Sequence, residues 1–309
     1  MKLKLSLRDA LLCIGLLLSF AWLLYAVYGT SPALPASPPE TPSQPAAMRE
    51  GTLQIHILDV GQGNCALLQS PSGKTMLIDA GDAEHAAAVT HFLQAQGIER
   101  LDMAVATHPH QDHIGGMSVL LRKFQPSVLL LPDAQSDLPA YSAMLQAADA
   151  IGAQILRPGV EQPIVWDEAV NVTAFAPFTG LEQLQLDVNE QSLVLHLRYG
   201  DTAILFMGDA GYSAETTLLK LLRKSSLRAN VLAVGHHGAS DATTPRFLRA
   251  VSPAYAVISC GAGNAYGHPH QSVLNLLAQQ QVQVFRTDIQ GDVHIQMDGE
   301  LVAITTKKG

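Results

Sequence analysis

Short apolar runs alternate with stretches of helical periodicity from Gly51 to the end of the chain. The runs are rich in β-branched residues and are bounded by Gly, Pro and Asp, which is typical of buried strands joined by turns. The predicted strands cover 53–58, 66–69, 75–78, 103–106, 128–131, 170–175, 192–198, 203–206, 231–234, 255–258, 282–285, 293–296 and 301–304. The strongest predicted helices are 83–96, 116–124, 140–151, 212–224, 245–251 and 271–280, with Thr244 as the N-cap before Pro245. This order predicts an α/β domain over residues 51–309, with two mixed sheets covered by helices.

The first part of the chain carries a pattern of another kind. Residues 10–28 contain no charged side chain, and a helix of that length spans about 29 Å, close to the ~30 Å hydrocarbon core of a bilayer. Because Lys2, Lys4 and Arg8 precede this span, the positive-inside rule places the N-terminus in the cytoplasm. We therefore predict a single-pass protein of the cell membrane whose large domain lies outside the cytoplasm.

The predicted boundaries are residues 1–29 for the cytoplasmic tip and the membrane anchor, and residues 30–50 for a linker. Six prolines among small and polar residues between 30 and 48 favour an extended, unpacked chain. A cleaved signal peptide is the alternative that we disfavour. Its apolar region is usually shorter, and no Ala-x-Ala site occurs between Ala21 and Met48.

The composition excludes several classes of protein. Of the 309 residues, 48% are hydrophobic and 15% are charged, which excludes a disordered polyelectrolyte. The net charge of −8 excludes a protein that coats nucleic acid as a uniform polycation, although it leaves room for a local basic groove. Three cysteines are too few for a disulfide scaffold, whereas twelve histidines are unusually many.

The chemistry is concentrated directly after the predicted strand at 103–106, in the segment THPHQDHIGG. Four metal-binding side chains lie there within six residues: His108, His110, Asp112 and His113. On a strand-to-helix turn these groups would be polar and buried without partners unless a metal ion bound them. The spacing lets the first two histidines face one ion and the Asp-His pair face a second. The motif therefore predicts one or two divalent metal ions.

The His-x-His-x-Asp-His motif, preceded by LIDAG at 77–81, resembles the metallo-β-lactamase superfamily of binuclear metallohydrolases. Further segments are similar to the hydrolase domain of ComEC-type DNA-uptake competence proteins: LDVGQG at 58–63, SLV at 192–194 leading to FMGDA at 206–210, VGHHGAS at 234–240 and GAGNAYGHP at 261–269. The resemblance covers residues 53–298 and implies an αββα sandwich. Those proteins join this domain to a multi-span channel, whereas one span is predicted here, so a role in DNA uptake is not implied.

The resemblance also implies a set of metal ligands that is divided between two ions. These ligands are His108 and His110 on the first metal, Asp112, His113 and His268 on the second, and Asp209 bridging both. Asn189 stands where the superfamily usually has a further histidine on the first metal. Its amide oxygen is a weaker ligand than imidazole, which favours manganese over zinc more than a full histidine set would. His196 lies in the alternating run LVLHLRY, so we interpret it as a strand residue instead of a replacement ligand.

Other residues have predicted roles around the metals. Asp112 and His237 are the predicted catalytic residues. We favour His237 over His236 as the group that protonates the leaving oxygen or stabilises the negative charge on the phosphoryl group. His236, Asp79 and Asp59 are predicted to support the site, Asp79 by accepting hydrogen bonds that orient the ligand loop. Asp59 is equally compatible with a purely structural turn.

The function predicted from this sequence is hydrolysis by a metal-bound hydroxide in a membrane-anchored domain outside the cytoplasm. On the strength of the resemblance, the expected substrate is a phosphodiester in DNA or a smaller nucleotide. The alternatives are a small amide, ester or thioester substrate such as a β-lactam, or a degenerate metal-binding or scaffold protein. The intact set of metal-binding side chains argues against degeneracy.

Overall fold

The computed structural model describes residues 51–176 and 187–308. The strands in these ranges are β1 (Leu53–Ile57), β2 (Ala66–Gln69), β3 (Thr75–Ile78), β4 (Met103–Val105), β5 (Val128–Leu130), β6 (Gln154–Leu156), β7 (Gln162–Ile164), β8 (Val170–Phe175), β9 (Val194–Tyr199), β10 (Thr202–Phe206), β11 (Val231–Ala233), β12 (Tyr255–Ile258), β13 (Gln283–Arg286), β14 (Val293–Met297) and β15 (Val302–Thr306). The α-helices are α1 (Ala86–Ala95), α2 (Gln111–Ile114), α3 (Met117–Phe124), α4 (Pro139–Ala150), α5 (Tyr212–Leu221), α6 (Lys224–Leu227), α7 (Pro245–Val251), α8 (Gln271–Gln279) and α9 (Thr287–Gln290). Short 3-10 helices cover Ala83–His85, Asn189–Gln191 and Gly235–Gly238.

The strands form two sheets. The first has the order β15-β14-β1-β2-β3-β4-β5-β6 and the second has the order β13-β12-β11-β10-β9-β8-β7. Each sheet combines antiparallel pairs with a parallel run, from β3 to β6 in the first sheet and from β10 to β13 in the second. The predicted mixed sheets are thus confirmed.

Three hydrophobic clusters show how the layers stack. One cluster takes residues from the inward faces of both sheets, among them Ile55, Met76 and Leu195. A second packs the outer face of the first sheet against α1, α3 and α4, and a third packs the outer face of the second sheet against α5, α7 and α8. Because each sheet is covered by helices on one face and by the other sheet on the other, the domain is an αββα sandwich.

The parallel runs explain why one edge of the sandwich carries polar residues. The carboxyl ends of parallel strands meet at one edge of a sheet, which is where open α/β sheets bind their ligands. The chain continues there into Asp79 after β3, Thr107 after β4 and Asp209 after β10. The backbone N–H of Leu193 donates to Thr107 O (2.8 Å), which joins the edges of the two sheets.

Most of the predicted elements are confirmed, several with the predicted bounds. The strands at 66–69, 75–78, 170–175 and 255–258 and the helix at 245–251 have those bounds, and Thr244 accepts a hydrogen bond from Phe247 N (3.3 Å) as the predicted cap.

Two edge strands and one helix end differ from the predictions. The strands β6 and β7 were not predicted, since each has three residues and β7 contains Pro163. The predicted helix at 212–224 ends at Leu221, where the chain bends before α6. Leu222 and Leu227 are both buried, and five residues of a straight helix would turn them to different faces.

Within residues 51–176 and 187–308, no helix is both long and apolar enough to cross a membrane. The predicted membrane span at 10–28 and the linker at 30–50 lie outside the described residues.

Candidate metal centre

The turn after β4 carries the His-x-His-x-Asp-His motif and places its side chains at different depths. His108 and His113 are fully buried, whereas His110 and Asp112 are half-buried. The Nε2 atom of His108 faces the Nδ1 atom of His110 at 3.1 Å. Without a cation, one of these nitrogens can carry a proton and donate it to the other; with both deprotonated, the converging lone pairs suit two ligands of one cation.

Asp79 fixes the orientation of His113. It is buried directly after β3, in a left-handed conformation with φ of 56°, and both of its carboxylate oxygens are used. Thr107 donates to it from its backbone N–H and its hydroxyl, each over 2.8 Å, and His113 Nδ1 donates to Oδ2 over 2.8 Å. Since a carboxylate only accepts, the proton of neutral His113 lies on Nδ1, and Nε2 is left with its lone pair directed into the site.

Asp209 is the acidic group at the centre of the cluster. It follows β10, is almost fully buried, and its backbone N–H donates to Ser192 Oγ (3.0 Å). Its Oδ1 lies 3.2 Å from His113 Nε2, and its Oδ2 lies 3.7 Å from His108 Nε2. One carboxylate therefore faces imidazoles of both halves of the motif, as a bridging ligand would.

His237 enters the cluster from the turn after β11. Both His236 and His237 have positive φ values, 50° and 55°, and this turn directs the ring of His237 inward. Its Nδ1 donates to Ser259 O (2.9 Å), while its Nε2 lies 3.2 Å from Asp112 Oδ2 and 3.5 Å from Asp209 Oδ2. The backbone carbonyl thus sets the tautomer of His237 as Asp79 sets that of His113.

The carboxylates and imidazoles of the cluster shift one another's pKa values. Burial alone would raise the pKa of Asp209, but the imidazoles of His113, His237 and His108 outweigh it and hold that pKa well below the ordinary value of a carboxylic acid. Burial alone would lower the pKa of His113, but Asp209 and Asp79 raise it well above the ordinary value. Without a metal, the carboxylates therefore draw a proton onto a buried imidazole, which is the charge that a bound cation would replace.

Among the buried atoms that lack a well-formed hydrogen bond within the described residues, three belong to the cluster: His113 Nε2, His237 Nε2 and Asp209 Oδ1. Buried polar groups are normally satisfied, so three such atoms in one cluster call for a partner. Two groups of residues bring one possible ligand atom each within 4.8 Å of one another: His108, His113 and Asp209, and Asp112, His113 and His237. Nitrogen and carboxylate oxygen donors suit zinc or manganese, so these residues fit a divalent cation.

These groups do not coincide with the predicted ligand set. Among the described residues, His110, predicted on the first metal, belongs to neither group, and Asp209, the predicted bridge, belongs to the first group alone. His237, predicted as a catalytic residue, has its Nε2 in the second group, whereas His268, predicted on the second metal, belongs to neither group among the described residues. His268 Nδ1 lies 3.4 Å from Gln62 Nε2, and its ring centroid lies 6.1 Å from that of His237.

Asn189 and His236 lie together at the rim. Asn189 Nδ2 is 3.3 Å from His236 Nε2, and His236 Nδ1 contacts Asp241 Oδ1 at 3.0 Å. Asn189 Oδ1 is buried and has no hydrogen-bond partner among the described residues. The structure thus places Asn189 beside His236, with an amide oxygen free for a ligand.

Two other residues singled out in the sequence lie outside the cluster. Asp59 is exposed, and its Oδ1 accepts a hydrogen bond from Gly61 N (3.3 Å), as in a structural turn. His196 lies in β9, and its Nε2 contacts Arg228 O at 2.8 Å.

Two residues around the site, Gln62 and Glu215, had no role assigned from the sequence. Gln62 donates toward His268 and accepts from Gly261 N (3.2 Å), so it ties two site loops together. Glu215 is buried in α5 and accepts hydrogen bonds from the backbone of Thr243 and Thr244, which anchors the segment after His237. The GQGN and GAGN segments signalled tight loops, but an acidic residue in a helix gave no signal of burial.

The family model described as the metallo-beta-lactamase superfamily matches residues 58–262. ComE operon protein 3 of Bacillus subtilis (strain 168) is 30% identical over 269 residues, which cover 81% of this chain and 33% of that protein. Competence protein ComA of Neisseria gonorrhoeae is 31% identical over 249 residues, which cover 80% of this chain and 33% of that protein.

This chain spans about a third of the length of these curated relatives. Among solved structures, the metallo-beta-lactamase fold protein YhfI from Bacillus subtilis matches with a TM-score of 0.51 at 12% identity. The match covers 82% of this chain and all of YhfI. At this identity the likeness concerns the fold alone.

Proposed function

The chain belongs to the metallo-β-lactamase superfamily of metal-dependent hydrolases, and from that premise we propose that it hydrolyses phosphodiester bonds in DNA. The observation that carries the proposal is the buried cluster, in which His108, His113, His237 and Asp209 direct unsatisfied or converging donor atoms toward one another. The cluster lies at the carboxyl ends of the parallel strands, where a substrate can reach it.

Each residue of the cluster has a part in this chemistry. A divalent cation bound there would lower the pKa of a water molecule and neutralise negative charge that develops on the phosphate. Asp79 and the carbonyl of Ser259 hold the rings of His113 and His237 in one tautomer, so that both Nε2 atoms face the site. Asp112 lies at the half-exposed side of the cluster, 3.2 Å from His237 Nε2, where the two can hold or move a proton near the leaving oxygen.

The charge distribution supports a polyanionic substrate although the chain is acidic overall. We define the basic surface as six exposed cations on α5 to α7 and their connections: Lys220, Arg223, Lys224, Arg228, Arg246 and Arg249. Within the described residues, the Lys and Arg ion pairs lie elsewhere, at Lys74, Arg157, Arg286 and Lys307. Six cations on one helical layer, without an ion pair among the described residues, suit contacts to a phosphate backbone. The similarity to competence proteins also supports DNA as the substrate.

We also propose that the domain works outside the cytoplasm, held by residues 10–28 in the membrane. A reporter enzyme that is active only outside the cytoplasm, fused after Gly309, tests this placement. Activity of the fusion in intact cells supports it, and a C-terminus protected from protease in spheroplasts contradicts it.

A substrate screen tests the proposed reaction. The full-length chain, loaded with Zn²⁺ or Mn²⁺, is assayed with single-stranded DNA, a cyclic dinucleotide and a chromogenic β-lactam. Cleavage of either phosphodiester, lost on chelation, supports the proposal. Turnover of the β-lactam alone overturns it in favour of a small amide or ester substrate. Metal binding without any turnover overturns it in favour of a scaffold protein.

A further inference from the structure

Two aromatic side chains stand out because they are exposed. Of the Phe, Tyr and Trp residues in the described ranges, only Tyr212 and Tyr266 are exposed, at 62% and 67%. Tyr212 follows Asp209 by three residues, and Tyr266 precedes His268 by two. An exposed aromatic ring contributes less to the stability of the fold than a buried one, so its exposed face remains available for contact with a ligand.

The ring of Tyr266 is already part of a stack. Its centroid lies 5.6 Å from that of His268, with an angle of 22° between the two rings. The ring of His268 in turn lies 5.6 Å from that of His236 and 6.1 Å from that of His237. A row of rings therefore runs from the solvent at Tyr266 to the cluster at His237.

The backbone beneath Tyr266 is held firmly. Asn264 Oδ1 accepts hydrogen bonds from the N–H groups of Tyr266 (3.2 Å) and His268 (3.0 Å), and Asn264 Nδ2 donates to Gly261 O (2.8 Å). His270 Nε2 donates to Tyr266 O (3.2 Å), and its Nδ1 accepts from Ser240 N (2.9 Å). The loop is thus fixed to the turn that carries His237, which reduces the entropy lost when a ligand stacks on the ring.

We propose that Tyr266 is a stacking platform for a nucleobase of the substrate, next to the metal cluster. The proposal rests on the proposed phosphodiesterase function and narrows its substrate class. A base can stack on an exposed ring only when it is not already stacked and paired in a duplex, so the favoured substrate is a single strand or a frayed end. Stacking tolerates any base, which fits a chain without a base-reading motif.

The test compares two strands that differ only in their bases. The full-length chain loaded with metal is assayed on a single-stranded oligothymidylate and on an abasic strand of the same length. Tyr266→Ala is expected to lower the ratio of kcat/KM on the base-bearing strand to kcat/KM on the abasic strand by roughly tenfold or more. Tyr266→Phe keeps the ring and is expected to keep the ratio.

A matched control is Leu301→Ala, which removes another exposed apolar side chain (70% exposed) from the hairpin of β14 and β15. It is expected to leave the ratio unchanged. Metal content measured for each variant shows that the cluster has formed. An unchanged ratio in Tyr266→Ala overturns the proposal, as does an equal loss on both strands or a loss that only Tyr212→Ala produces. If the unaltered protein cleaves neither strand, the proposed function itself has failed, which is a distinct result.

Discussion

Asp79 shows how one carboxylate outside the cation's reach controls the centre. It accepts from His113 Nδ1 and from two donors of Thr107, so it fixes a ligand ring and the loop that carries it. In Asp79→Asn we expect metal affinity to fall roughly 10- to 100-fold, because the neutral amide keeps one acceptor oxygen where Thr107 and His113 now use two. Competition with a chromogenic chelator measures the affinity.

The control for this variant is Asp59→Asn, which changes an exposed carboxylate in a turn. Its metal affinity is expected to match that of the unaltered protein. Equal affinities for Asp79→Asn and Asp59→Asn would refute the positioning role of Asp79.

Among the elements, the turn after β11 depends on close packing around Gly238. This glycine has φ of +80°, and an added Cβ would lie 2.6 Å from Pro269 Cβ, inside any tolerable contact. We expect Gly238→Ala to lower the free energy of unfolding by about 1–3 kcal/mol more than Gly152→Ala does. Gly152 also has a positive φ (+69°), but an added Cβ there meets nothing within 4 Å.

Both substitutions place a side chain at a positive φ, but only Gly238→Ala adds a clash with Pro269. The difference between their free energies of unfolding in urea therefore measures the cost of that clash. Equal losses would show that the loop after β12 does not pack against the turn of His237 as described.

Glu215 links the same turn to α5 and makes stability depend on pH. Its burial raises its pKa to about 7 against the hydrogen bonds of Thr244 and Thr243, which lower it. Since the pKa is higher in the folded state than in the unfolded state, Glu215 favours folding fully at low pH. This contribution decreases as the pH rises from about 4.5 to about 7, by about 3 kcal/mol.

Glu215→Gln replaces the neutral acid by a neutral amide and removes this titration. The free energy of unfolding of the unaltered protein, minus that of the variant, is expected to decrease between pH 5 and pH 7.5. Urea unfolding at several pH values measures it, and a difference that is constant or rises with pH would disprove the assignment.

Patterns within one segment of the chain predicted most helices and strands. Contacts between distant segments could not be predicted from such patterns alone. The spacing of His108, His110, Asp112 and His113 indicated a metal site because all four lie in one turn. The positions of Asp209 and His268 relative to that turn came only from family resemblance, because no spacing encodes which strand ends meet across two sheets. For the same reason, no spacing indicated that His237 Nε2 lies within reach of Asp112 and His113.

The burial of Glu215 and the exposure of Tyr266 lay beyond prediction on physical grounds. An acidic residue in a helix normally faces water, and an aromatic residue near a strand normally enters the core. The burial of Glu215 depends on a remote segment, since the backbone of Thr243 and Thr244 donates to its carboxylate. Tyr266 stacks on His268 in its own loop, a contact that no hydrophobic pattern in the sequence encodes.

At the scale of the whole molecule, the basic surface presents exposed positive charge on a chain with net charge −8. Replacing Arg223, Lys224 and Arg228 together by Ala is expected to weaken binding of single-stranded DNA. The slope of log Kd against log salt should decrease by about 2 if each cation contacts one phosphate. Fluorescence anisotropy in a salt series measures both quantities.

The control neutralises Lys74, Arg122 and Lys123, which lie outside the basic surface. It is expected to leave the slope closer to that of the unaltered protein. If the slope decreases equally in both triple variants, DNA binding depends on the net charge of the protein and not on the basic surface.

In the proposed function, the buried cluster binds the divalent cation on which phosphodiester hydrolysis depends. The most direct measurement strips the full-length chain with a chelator and follows cleavage of single-stranded DNA while Mn²⁺ or Zn²⁺ is added back, beside Asp209→Asn. We predict that the rate rises with the metal bound, saturates at one or two ions per chain, and stays near zero in the variant. Cleavage that persists in the stripped protein, or that returns equally in Asp209→Asn, would contradict the account.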